Sequence, residues 1–262
     1  MRRLREAGIG IGLIVLSLGL LVLGIRSLFM RQAAIARARI GKPLGEVSLD
    51  ADRVWRRALG GTPIRLLLLG DSLAAGLGAE RRKETLGGRI AKGLARETGR
   101  PVQLRTAAVV GSESRALAEQ LDALPRRYHA DVAVIVVGGN DVTHLVSPDT
   151  AARQLEQAIL QLRDTGTAVV VGTCPDLGTL RPVPQPLRTF LARRSGRMAR
   201  AQTRAARRAG ATPVSLAEAV GPIFRAAPAE MFSLDQFHPS AAGYRRTAEA
   251  LLPAVVAALA DS

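Results

Sequence analysis

The run Ile64-Arg65-Leu66-Leu67-Leu68-Leu69-Gly70-Asp71-Ser72-Leu73-Ala74-Ala75-Gly76 reads as a buried strand that stops at a small-residue turn carrying one hydroxyl, that of Ser72. A continuous apolar run bounded by glycine suits a strand covered on both faces, as in a parallel sheet. Ligands of such sheets sit in the crevice outside the carboxyl ends of the strands, so a serine just past this strand is aimed at that crevice. Taken alone, the same Asp-Ser pair is equally a helix N-cap.

The balance is tipped far downstream by Asp235-Gln236-Phe237-His238-Pro239, which sets a carboxylate three residues before an imidazole. That spacing is expected to bring both onto one turn, with Pro239 opening a helix. A serine hydroxyl is a weak nucleophile until a base takes its proton, and the base works best when a carboxylate fixes its tautomer and stabilises its charged form. Ser72, His238 and Asp235 supply those three parts. Two further strand ends carry donors of the kind that bind an oxyanion: Val109-Val110-Gly111-Ser112 a bare backbone N–H, and Val136-Val137-Gly138-Gly139-Asn140-Asp141 a side-chain amide.

These blocks resemble the SGNH (GDSL-type) hydrolase family: Gly-Asp-Ser-Leu at 70–73, Gly111, Gly-x-Asn-Asp at 138–141 and Asp-x-x-His at 235–238, in the family's order. Each is weak alone, but four in order at strand ends form a strong joint signal. The second block departs from the pattern, since Thr106-Ala107-Ala108 stands where an Asn is usual. The resemblance implies a flavodoxin-like three-layer α/β sandwich with a five-stranded parallel sheet. It also implies an acyl-enzyme esterase or lipase, its ester substrate an acyl lipid or an O-acetylated sugar, with catalytic Ser72, His238 and Asp235. Its oxyanion hole would be the N–H groups of Ser72 and Gly111 and the Asn140 amide, and no cofactor is implied. Two alternatives stay open: an O-acyltransferase using the same site, and a non-catalytic, membrane-tethered module that binds anionic surfaces.

The remaining chain fits an α/β order. Strands are expected near 64–70, 102–109, 131–138, 168–172 and 212–216, with helices near 82–98, 114–124, 149–164, 186–209 and 240–260. Continuously apolar strands separated by helices mean a parallel sheet covered on both sides.

At the N-terminus, Ala7 to Ile25 is an uncharged run of 19 residues. As a helix it would extend roughly 28 Å, near the thickness of a bilayer's hydrocarbon core. Residues 1–30 are therefore expected to be a membrane anchor and 31–61 a tether with a short helix around Ala51 to Leu59. Residues 62–262 then form one catalytic domain. A cleaved signal peptide competes, with small residues around Ala36-Arg37-Ala38, although Arg26 directly after so long a run suits an uncleaved anchor. The basic residues flanking the run, three before and five after, would by themselves hold the domain in the cytoplasm. A short basic N-terminus leading straight into an apolar run is how export signals begin, and an extracytoplasmic domain is the expectation.

The net charge of +15 points to anionic surfaces. Arg193, Arg197, Arg200, Arg204 and Arg207 recur every three or four residues and so share one helix face. That stripe is either a solvated face or a second contact with an anionic membrane. No nucleic-acid reader motif accompanies it. Aromatics at 3% argue against an extended sugar-stacking platform, and a single cysteine excludes an intramolecular disulfide. One Cys and three His give no metal-ligand spacing, so no metal is expected. Cys174 reads as buried filler, His129 as a loop residue, and His144 as a neighbour of the crevice.

Overall fold

The computed structural model describes the backbone of residues 2–260 and the side chains of residues 16–260. Six strands form one sheet: β1 (Val54–Trp55), β2 (Ile64–Gly70), β3 (Val102–Thr106), β4 (Val132–Val136), β5 (Ala168–Gly172) and β6 (Thr212–Val214). The helices are α1 (Arg2–Ile40), α2 (Ser72–Ala75), α3 (Leu86–Thr98), α4 (Ala116–Asp122), α5 (Gly139–Thr143), α6 (Pro148–Asp164), α7 (Leu187–Arg208), the short α8 (Leu216–Ala219), α9 (Gly221–Ala226) and α10 (Pro228–Met231), and α11 (Ala241–Ala260).

The spatial order is β1-β3-β2-β4-β5-β6, and every pair from β3 to β6 is parallel. Those five strands follow the flavodoxin order, in which the chain reverses direction across the sheet between β2 and β4. The sheet gains one strand over the five expected. β1 pairs antiparallel with β3 through Val54↔Gln103 and Trp55↔Val102. Asp52 fastens it by accepting the Thr106 N–H at 3.0 Å, and the short strand covers an edge that would otherwise be open. Residues 51–59, expected as helix, therefore hold this strand and a single 3₁₀ turn at Arg57–Leu59.

Period-two alternation divides the strand side chains between two cores. Ile64, Leu66 and Leu68 face the side covered by α3 and α11, while Leu67 and Leu69 face the side covered by α4 and α6. β4 splits in the same way, with Val132, Val134 and Val136 on one side and Ala133 and Ile135 on the other. At about 25 cal/mol per Å² of buried apolar surface, these two layers are the main source of stability.

Among the described residues, Leu16–Ile40 is the one stretch long and apolar enough to cross a membrane, by length and composition. The side chains of residues 7–15, the first half of the expected membrane run, lie outside the described residues. Residues 31–40, expected as the start of a tether, continue α1 as helix. Their Gln32 and Ala36 are buried against the domain.

Candidate active site

At the switch point, β2 and β4 approach closely. Asp71 donates its N–H to the Val136 carbonyl at 3.0 Å, and a Cβ on Gly70 would lie 1.8 Å from that same oxygen, so only glycine fits there. The chain then enters α2, and Ser72 occupies its first position. Asp71 caps the turn by accepting the Leu73 N–H at 3.0 Å, so the cap is supplied by Asp71 and does not occupy the Ser72 hydroxyl.

Ser72, His238 and Asp235, separated by more than 160 residues of chain, form one hydrogen-bonded line. Ser72 Oγ lies 3.0 Å from His238 Nε2, and His238 Nδ1 lies 2.6 Å from Asp235 Oδ2. Asp235 and His238 sit in a loop rather than on a helical turn. Phe232 bridges to Pro239, Gln236 takes a left-handed φ of 56°, and the Ser233 N–H donates to the His238 carbonyl at 2.8 Å. The helix begins later, where Ser240 accepts the N–H groups of Ala242 and Gly243. Buried Tyr244 on α11 donates its hydroxyl to the Leu77 carbonyl at 2.7 Å, pinning the histidine loop to the loop that follows Ser72.

The orientation of Asp235 is fully determined. Its Oδ1 accepts from Ser233 Oγ and from the N–H groups of Phe237 and His238, each at 2.9 Å, which leaves Oδ2 for the imidazole. Burial pushes this carboxyl up, but the His238 hydrogen bond and the two backbone N–H groups outweigh it, and its pKa falls below the usual value. An ionised Asp235 accepts the hydrogen bond of Nδ1–H, which keeps the proton on Nδ1, so Nε2 presents its lone pair to Ser72.

Gly111 lies in the loop between β3 and α4, and Asn140 in the first turn of α5, which follows β4. Gly111 adopts φ +84°, a conformation that favours glycine. Neither its N–H nor that of Ser72 has an acceptor among the described residues. One Asn140 N–H donates to the Ser112 carbonyl at 2.9 Å, leaving the other hydrogen of that amide. Two side chains outside the sequence motifs organise this wall. Gln120 accepts from the Gly70 N–H at 2.9 Å and donates to the Gly70 carbonyl at 2.8 Å and to Ser112 Oγ at 3.2 Å. It is the amide that ties the second motif block to the end of β2, in a region where the family's usual Asn is missing. Asp141, fully buried, accepts both the N–H and the hydroxyl of Ser114.

Burial raises the Asp71 carboxyl to about 6, against hydrogen bonding and the nearby His238 that pull it down. A carboxyl whose folded pKa exceeds its unfolded value of 3.8 binds more protons when folded, so its contribution to stability is lost as pH rises from about 4 to about 6. Asp71→Asn keeps the acceptor for Leu73 and has nothing to ionise. Its stability relative to wild type should therefore rise by about 2 kcal/mol between pH 4 and pH 7, read from denaturant midpoints at both pH values. A difference that does not change with pH would show that Asp71 is not the titrating group.

An apolar cavity of about 80 Å³ opens beside Ser72 and His238, walled by Leu177, Leu180, Leu216, Phe224 and Phe237 among others. The remaining polar residues of interest lie outside it. His144 Nδ1 pairs with Glu113 Oε1 at 2.6 Å on the exposed surface, a carboxylate partner its sequence neighbours do not reveal. His129 contacts Arg65 near the start of β2. Cys174 is buried and its thiol is pushed well above its ordinary value by that burial. The α7 arginines at 193, 197, 200, 204 and 207 are all exposed.

Four similarities to known proteins place the chain in a family and a fold. A sequence profile of the GDSL-like lipase/acylhydrolase family matches residues 68–246. A GDSL-like esterase of Mycobacterium tuberculosis (strain ATCC 25618 / H37Rv) is 41% identical over 260 residues, covering 94% of this chain and 81% of the relative. The crystal structure of TesA superposes with a TM-score of 0.60 at 25% identity, covering 74% of this chain and 99% of TesA. A catalytic mutant of Axe2, an acetylxylan esterase from Geobacillus stearothermophilus, shares the fold at a TM-score of 0.58 and 18% identity, covering 75% and 95% of the two chains. The chain is an ester hydrolase, and it belongs to the GDSL-like lipase/acylhydrolase family.

Proposed function

We propose that this hydrolase cleaves carboxylic esters through an acyl-enzyme on Ser72, with His238 as general base and then general acid, and Asp235 holding the imidazole. The observation that carries the reading is the line from Ser72 Oγ through His238 to Asp235, at 3.0 Å and 2.6 Å. Ser72 Oγ attacks the ester carbonyl as its proton passes to Nε2. The carbonyl oxygen becomes an oxyanion, met by the N–H groups of Ser72 and Gly111 and the free N–H of the Asn140 amide. Collapse expels the alcohol with the proton from Nε2. Water, deprotonated by the same nitrogen, then releases the acid and restores Ser72.

The apolar cavity beside the nucleophile receives the acyl group in this reading, because its walls offer hydrocarbon contact and few polar partners. Residues 1–30 anchor the enzyme in a membrane as a single pass, and the domain from residue 62 works outside the cytoplasm. The apolar helix and the short basic N-terminus support that placement. The exposed Arg193–Arg207 face adds attraction to anionic lipid, screened by salt over about 8 to 10 Å.

One experiment tests chemistry and placement together. A charged fluorophosphonate that does not cross membranes should label the wild-type protein in intact cells, with the adduct on Ser72, and should not label Ser72→Ala. Labelling that appears only after lysis puts the domain in the cytoplasm. Wild-type protein that stays unlabelled in lysed cells as well removes Ser72 as the nucleophile.

A further inference from the structure

The C-terminal part of α1 does more than connect. At the start of α7, Pro186 caps nothing, the Pro184 carbonyl accepts the Arg188 N–H at 2.9 Å and Gln185 Oε1 accepts the Thr189 N–H at 3.2 Å, which leaves the Leu187 N–H to be met from outside. The first N–H groups of a helix have no partner within it and need one from elsewhere. Gln32 supplies it from α1: its Oε1 accepts the Leu187 N–H at 2.9 Å, and its Nε2 donates to the Gln185 carbonyl. One turn earlier, the rings of Phe29 and Phe190 stand 5.2 Å apart; two turns later, Arg39 donates to the Pro182 carbonyl at 3.3 Å. Ala36 is buried in the same apolar cluster as Leu177, Leu180, Val183 and Leu187.

Leu177 and Leu180 are walls of the cavity beside Ser72. They belong to the segment running from the end of β5 to the start of α7. α7 descends antiparallel to the parallel strands, so its first turn lies at the strand ends that carry the site. α1 is thus fastened at three successive points to residues 182–190, which follow those wall residues in the chain. The α1 residues that make these contacts lie outside the stretch matched by the family profile, residues 68–246.

We propose that the Phe29–Arg39 part of α1, by holding residues 182–190, braces the adjoining cavity-wall residues Leu177 and Leu180 and so sets which acyl groups the cavity accepts, with Gln32 as the positioning residue. The proposal rests on the reading that this cavity holds the acyl group. Gln32→Met keeps the length and apolar stem of the side chain and removes both hydrogen bonds. In the full chain in detergent micelles, with a series of p-nitrophenyl esters, kcat on the acetyl ester should stay within about twofold of wild type. KM for the longest ester turned over should move by about threefold to tenfold, the size of one net hydrogen bond. Arg39→Ala, at the weaker contact, should shift the same esters in the same direction by less.

A uniform loss across the series would mean a merely structural role and would overturn the proposal, as would an unchanged acyl profile. Hydrogen exchange on the wild-type full chain is an independent check that needs no variant. The Leu187 amide should be protected, and exchange at the rate of an open amide would show that Gln32 does not hold it. Wild-type protein without esterase activity or Ser72 labelling would sink the triad reading instead, so the two failures are distinguishable.

Discussion

Ser72→Ala and His238→Ala should each lower kcat on a small soluble ester by on the order of 10⁶, and the double variant should be no worse than either alone. The argument is that the two act as a unit. At 3.0 Å the imidazole is placed to take the serine proton, and without it the hydroxyl remains a poor nucleophile. Without the hydroxyl, the imidazole has nothing to activate except water in the wrong place. Residual catalysis in all three variants should come from the oxyanion donors and from binding. Asn140→Ala, which removes one such donor, should accordingly cost only about 10² to 10³. Additive losses in the double variant, or a His238→Ala enzyme that keeps most of its rate, would break the assignment of base to His238.

The elements that the sequence made legible are those with a strong local pattern. Four leucines before Gly70 marked β2, and the continuously apolar β4 and β5 marked the buried centre of the sheet. Ser72 and Asp235–His238 were legible only as a set, because the serine at a strand end and the closely spaced carboxylate and imidazole belong to four blocks in one order, while each alone has other uses. β1 was not legible, because two residues are too short for a period-two signal and Trp55 finds its place only against β3. The continuation of α1 was hidden by the charges Arg31, Arg37 and Arg39, which read as a solvated tether. The helix persists because Ala33 and Ala36 face the domain between them.

Gln120 and Gln202 were missed for a common reason. Each is a polar residue in a position that local pattern assigns to the core, and its main partners are backbone groups distant in sequence. Gln202 lies on the buried face of α7, where its Oε1 accepts the Cys174 N–H at 2.7 Å and its Nε2 donates to the Val137 carbonyl at 2.9 Å. It thereby joins the ends of β5 and β4 behind Asn140. The available signal was a glutamine in apolar register, Leu117-x-x-Gln120-Leu121 on α4 and Met198-x-x-x-Gln202 on α7. A buried amide must be fully bonded to be tolerated, so such a residue marks a place where the backbone needs an outside partner. In this fold both places are strand ends at the site.

Asp235→Asn should lower kcat by on the order of 10⁴ while leaving the fold intact, which makes it the sharpest test of what the carboxylate does. The loop fixes which way the new amide points. Oδ1 of Asp235 accepts three hydrogen bonds, from Ser233, Phe237 and His238, and an Asn oxygen can keep all three. The amide nitrogen then falls where Oδ2 was, 2.6 Å from His238 Nδ1, and it can only donate. Nδ1 must become the acceptor, so the imidazole proton moves to Nε2 and faces Ser72 Oγ. A nitrogen that already carries a proton cannot take the serine's, and the charged imidazole of the acylation step loses its counter-ion as well. His144→Ala is the control. His144 too has a carboxylate partner, Glu113, but the pair is exposed and His144 makes no contact with Ser72 among the described residues, so its loss should change kcat by less than about threefold. Kinetics on the two variants, with thermal melts to confirm folding, decide the matter: an Asp235→Asn enzyme within tenfold of wild type, or a His144→Ala enzyme as damaged as Ser72→Ala, would mean that the hydrogen-bonded line at residues 72, 238 and 235 is not the one that performs the chemistry.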